Sequence, residues 1–66
     1  MQMTINGEAR DVPDGATLGQ FLASINLPSR LVVVERNGEI VARDQYEQTA
    51  LHAGDVLEIV QMMAGG

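Results

Sequence analysis

The chain contains no cysteine and no lysine. Without cysteine it has no disulfide, thiolate zinc site, iron–sulfur cluster or thiol nucleophile. One small core must therefore hold the fold unaided. Without lysine there is no Schiff-base or side-chain amine chemistry; all four basic residues are arginines, at Arg10, Arg30, Arg36 and Arg43. Long apolar runs are missing as well. The longest, Leu31 to Val34, is far short of the roughly 20 residues that span a bilayer. Met1-Gln2-Met3-Thr4 lacks the basic patch and apolar stretch of a secretory signal, so a cytoplasmic location is expected. Positive charge is scarce overall. Four arginines against nine acids leave a net charge of −5, which works against nucleic-acid phosphates and anionic lipid heads. Neither nucleic acid nor membrane is expected as a partner, whereas a complementary basic protein surface suits the acidity.

What is present points to one small folded domain. A chain of 66 residues buries about 60% of its extended-chain surface on folding. Its hydrophobic fraction of 45% is ordinary for a globular protein and too high for disorder.

Met1, Met3 and Ile5 alternate with Gln2, Thr4 and Asn6, the period of a half-buried strand. Asn6-Gly7 supplies the two positive φ angles of a tight hairpin turn, and Glu8 to Val12 reads as a weakly apolar returning edge strand. Pro13-Asp14-Gly15 ends it. Thr17 and Gln20 stand at capping-box spacing, followed by Leu18, Phe21, Leu22 and Ile25 at i, i+3, i+4 and i+7, one apolar stripe on a helix of about two and a half turns. Gly19 weakens this helix by roughly 1 kcal/mol relative to alanine. Asn26-Leu27-Pro28 closes it, because the residue before proline avoids the helical region. Leu31 to Arg36 reads as a strand, Asn37-Gly38 as a second hairpin turn and Glu39 to Ala42 as its return. Arg43 to Ala50 is polar and irregular with one helical turn expected around Tyr46, and His52-Ala53-Gly54-Asp55 is a further turn. The last strand runs from Val56 to about Met62, with Leu57 and Ile59 on one face and Val56, Val60 and Met62 on the other.

Strand, strand, helix, strand, short strand, strand is an α+β order. It predicts the ubiquitin-like β-grasp fold, a mixed sheet of four to five strands with one helix packed across one face. Apolar residues on both faces of the last strand place it at the centre of that sheet. Residues 1–62 form the predicted domain and residues 63–66 a flexible tail with nothing left to pack.

The two Asn-Gly hairpins, the Thr17-Leu18 helix start, the segment Asn37 to Arg43 with Tyr46 after it, and the terminal Ala64-Gly65-Gly66 together resemble the ThiS family of thiamine-biosynthesis sulfur carriers over the whole chain. Ala42 stands where that family more often has proline, and Tyr46 where it has tryptophan. The resemblance implies that a ThiF-type adenylating enzyme uses ATP and magnesium to activate the carboxylate of Gly66. Sulfur derived from cysteine through a desulfurase system then gives a thiocarboxylate, and thiazole synthase (ThiG) takes that sulfur. It implies no cofactor bound by the chain itself and no enzymatic turnover of its own.

The tail suits this chemistry. Gly65 and Gly66 have no Cβ, so a carboxylate there is open to close approach by an α-phosphate. An α-carboxyl with an unperturbed pKa of about 3.3–3.7 is ionised at neutral pH. Ala64 and Gly65 are the residues that let the end enter a partner's cleft, and Val60, Met62 and Met63 are expected to form the partner surface. Asp14, Glu35, Glu39, Asp44 and Glu47 read as solvated surface charge with no nucleophile beside them. His52 has no second histidine at ligand spacing, so no metal is expected. The alternatives are a molybdopterin-synthase-type carrier subunit, a ubiquitin-like protein modifier, and a non-covalent β-grasp binding module.

Overall fold

A computed structural model describes residues 1–62; the predicted tail, residues 63–66, lies outside the described residues. The chain runs β1 (Gln2–Ile5), β2 (Glu8–Asp11), α1 (Leu18–Ser24), a 3-10 turn (Ser29–Leu31), β3 (Val32–Arg36), β4 (Glu39–Ile40), a second 3-10 segment (Arg43–Gln48) and β5 (Val56–Gln61). The strands form one mixed sheet in the order β2-β1-β5-β3-β4. β5 lies at its centre, as the sequence predicts, and is parallel to β1 and antiparallel to β3.

Both Asn-Gly pairs make the tight turns expected of them. Asn6 and Gly7 have φ of 51° and 82°, and Asn37 and Gly38 have 52° and 86°, the paired positive values that match the twist of a two-residue hairpin. Each asparagine does a second task in its side chain. The Ile59 N–H donates to Asn6 Oδ1 at 2.7 Å while Asn6 Nδ2 donates to the Ile59 carbonyl at 3.2 Å. One side-chain amide thus adds a rung where β1 has already turned away. Likewise the Val56 N–H donates to Asn37 Oδ1 at 2.9 Å. The two turns lock the central strand from either side.

The helix begins with the predicted capping box: the Gln20 N–H donates to Thr17 Oγ1 at 3.1 Å, and the Thr17 N–H to Gln20 Oε1 at 2.9 Å. Its end has a different cause from the one read in the sequence. Asn26 takes φ 60°, the Leu27 N–H donates to the Leu22 carbonyl and the Asn26 N–H to the Ala23 carbonyl. This is a Schellman stop with asparagine in the left-handed position, two residues before Pro28, and it shortens the helix to seven residues. Ile25, at the cap, is only half-buried. The Glu47 carboxylate folds over Gly19, and a Cβ there would displace that flexible side-chain end.

Leu18, Phe21 and Leu22 of α1 pack on Met3 and Ile5 of β1, Val32 and Val34 of β3 and Leu57 of β5, with Val12, Ala16, Tyr46 and Leu51 closing the edges. Tyr46 is buried and its hydroxyl donates to the Val32 carbonyl at 3.3 Å, so the 3-10 segment is a lid on the core. Ala42, just before it, has φ −63°, a value proline holds.

One buried charge escaped the sequence reading. Asp55 is 7% exposed. Its carboxylate accepts from the His52 N–H at 2.9 Å and from Asn37 Nδ2 at 3.1 Å, and Arg36 Nε lies 3.7 Å away. Burial alone would raise its pKa; the His52 N–H, the Asn37 amide and the Arg36 charge outweigh that and hold it below the ordinary carboxylate value. A depressed folded-state pKa contributes stability above the unfolded value of about 3.9, and the contribution is lost as pH falls through the folded value. Asp55→Asn is therefore expected to cost about 1–3 kcal/mol at neutral pH and to flatten the acid limb of the stability curve. Urea unfolding between pH 7 and pH 2 checks it; parallel curves for the two proteins below pH 4 would assign the acid sensitivity elsewhere.

Candidate functional site

The helix and the Tyr46 segment cover one face of the sheet, and strand alternation then decides what the other face shows. On β5, Leu57 points to the core, whereas Val56, Glu58 and Val60 are exposed. Met62, just past the strand, is exposed on the same side as its alternation requires, and its N–H donates to the Leu31 carbonyl at 2.6 Å. That bond pins the root of residues 63–66 beside the start of β3.

The β3–β5 register adds neighbours to this face. Val33 lies opposite Val60 and Glu35 opposite Glu58, while Glu35 also faces Ile40 across the β4 hairpin. Ile40 is 71% exposed and Val60 62%. Val60 and Met62 thus stand where the sequence places them, on an uncovered apolar face. Ile40, Val33 and the Glu35–Glu58 pair were missed. The alternation of Glu39, Ile40 and Val41 was the available signal for Ile40; nothing local signals which acid Glu35 meets.

The predicted site residues Met63, Ala64, Gly65 and Gly66 lie outside the described residues. The remaining acids weighed as chemistry are dispersed: Asp14 sits by the Met1 amine and Glu47 over Gly19. His52 takes part through its backbone N–H. Among the described residues no three His, Asp or Glu side chains gather as metal ligands, and no helix is long and apolar enough to cross a membrane. The described part of the candidate site is thus an uncovered apolar sheet face, and residues 63–66 follow directly after it.

Comparison with known proteins bears on that segment. The model of the ThiS family matches residues 3–66. The chain is 42% identical over 53 residues to the sulfur carrier protein ThiS of Bacillus subtilis, covering 80% of each. It is 44% identical over all 66 residues to a thiazole synthase of Paramagnetospirillum magneticum, of which it spans only 20%. In three dimensions it is similar to the crystal structure of the thiamine biosynthesis protein ThiS of Geobacter metallireducens, with a TM-score of 0.84, 29% identity and full coverage of both chains.

Proposed function

The chain belongs to the ThiS family and is a sulfur carrier of thiamine biosynthesis, and on that premise we propose that the Gly66 carboxylate is the group that carries the sulfur. The observation that carries the proposal is the reach of the family match, which runs through Gly65 to Gly66. A ThiF-type enzyme binds ATP and magnesium, and a Gly66 carboxylate oxygen attacks the α-phosphorus. Pyrophosphate leaves and an acyl-adenylate remains. A persulfide loaded from cysteine by a desulfurase system then attacks the carbonyl with its terminal sulfur and AMP leaves. A thiol reductant cleaves the S–S bond of the resulting acyl disulfide to free the thiocarboxylate.

The chain's own contribution is positioning. Its rigid sheet fixes residue 62 beside Leu31, and four further residues, at about 3.3–3.6 Å each when extended, reach roughly 13 Å into a partner. The exposed Val60 and Met62 form the docking surface, because exposed apolar patches mark interfaces. Met63, outside the described residues, is the proposed continuation of it in sequence. Thiazole synthase is the proposed acceptor: the same domain matches a segment of a longer thiazole synthase chain, which fits carrier and synthase acting together. The carrier is thus a co-substrate of its partners.

The test is intact mass. Incubation with the adenylating enzyme, ATP, magnesium, a cysteine desulfurase, cysteine and a thiol reductant should replace one oxygen by sulfur, with fragmentation placing the change on Gly66. An unchanged mass, with the same enzymes active on another ThiS protein, would remove Gly66 from this role.

A further inference from the structure

Glu35 and Glu58 are direct cross-strand partners on the uncovered face. The Asn37 N–H donates to the Val56 carbonyl and the Met62 N–H to the Leu31 carbonyl. Counting by twos from those rungs makes 35–58 a hydrogen-bonded pair, with Cα atoms about 5.5 Å apart. Like charges directly opposite each other oppose folding. Nothing within the described residues compensates them, as neither carboxylate joins a salt bridge. Lysine is absent, and three of the arginines are committed elsewhere: Arg10 over the Phe21 ring, Arg36 to the Ala50 carbonyl and Asp55, Arg43 to the Ser29 and Val32 carbonyls. Around the pair stand Val33, Ile40, Val56 and Val60. Aliphatic side chains that exclude water on docking strengthen any charge interaction they enclose.

We infer that the Glu35–Glu58 pair is a receptor for one arginine side chain of the adenylating enzyme, seated between the two carboxylates and ringed by the apolar face. Two adjacent acceptors match a planar guanidinium, whose donors fork toward two oxygens sets at once. The net charge of −5 draws such a partner in, while the paired glutamates fix its register on the face. The inference deepens the reading above and rests on it: the face must dock for the pair to be filled.

Binding to the ThiF-type enzyme is measured for the unaltered carrier, Glu35→Gln, Glu58→Gln, the double variant and Val60→Ser, at low and high salt, alongside the thermal midpoint of each free carrier. Each single change should weaken binding roughly tenfold or more, about 1.4 kcal/mol for each factor of ten. The double change should weaken it by less than the product, because one cation serves both acids. The affinity difference should shrink at high salt, and the free variants should melt no lower than the parent. Parental affinity in the double variant with weakened binding in Val60→Ser overturns the arginine receptor and leaves the docking face standing. Parental affinity in all of them removes the docking face itself. Weakened binding matched by lowered midpoints in the glutamine variants gives the pair a structural role and overturns the inference.

Discussion

Phe21→Ala is expected to lower the unfolding free energy by about 3–5 kcal/mol, the range for deleting a buried phenylalanine ring. Phe21 is 4% exposed and lies in the middle of α1, against the inner face of the sheet. Native domains hold roughly 0.05–0.15 kcal/mol per residue, so a chain of this length has only about 3–10 kcal/mol in all. The loss is comparable to the whole. No disulfide is there to restrain the unfolded chain, and the seven-residue helix is too short to persist without its packing. Arg10 lies 5.8 Å above the ring centroid, a contact worth about 0.5–1 kcal/mol at an exposed site. Arg10→Ala thus separates the cation's share from the ring's. Urea denaturation with circular dichroism reads both. A Phe21→Ala protein within about 1 kcal/mol of the parent would mean that the helix is held chiefly by its caps and by the Tyr46 segment.

The features legible in the sequence were those set by a few neighbouring residues. Asn-Gly twice, Thr17 with Gln20, and the i, i+3, i+4, i+7 stripe each encode a local geometry. Each formed as read except the last member of the stripe, Ile25, which falls at the helix cap and is half-buried. The helix stop shows the limit of that local code. Pro28 was the louder signal, yet Asn26 ends the helix, because asparagine can take the left-handed angle one residue past the cap. Proline merely forbids what had already stopped.

Less visible were features that depend on register. Asp55 reads as an ordinary turn acid until the fold brings Asn37 and Arg36 to it from 18 and 19 residues away. The same holds for Glu58, whose neighbour is known only once β3 and β5 are aligned. The uncovered apolar face was half legible for the same reason. Period-two alternation places Val60 and Met62 opposite the core on one strand, but the face is two-dimensional, and Val33 and Ile40 enter it through pairings between strands.

Deleting Gly66 is expected to abolish adenylation while leaving the fold intact. The core is assembled from side chains between Met3 and Leu57, so losing the last residue is a surface change, within about 0.5 kcal/mol of the parent. The chemical effect is of another order. Gly65 would become the terminal residue, still without a Cβ, and its carboxylate would stand about 3.3–3.6 Å behind the position Gly66 reached. In-line attack needs the reacting atoms about 3–3.5 Å apart, and even a 1 Å misplacement can cost 100-fold. The sheet cannot release more chain to recover the distance, because β5 is locked through Asn6 and Asn37 and residue 62 is bonded to Leu31. ATP–pyrophosphate exchange by a ThiF-type enzyme should therefore fall by at least about 100-fold, with complex formation retained. Gly66→Ala holds the length and adds one methyl group, so its rate separates reach from crowding at the α-phosphate. Exchange at the parental rate by the chain lacking Gly66 would show that the reacting carboxylate is not positioned by tail length, and Gly66 would lose its assigned role.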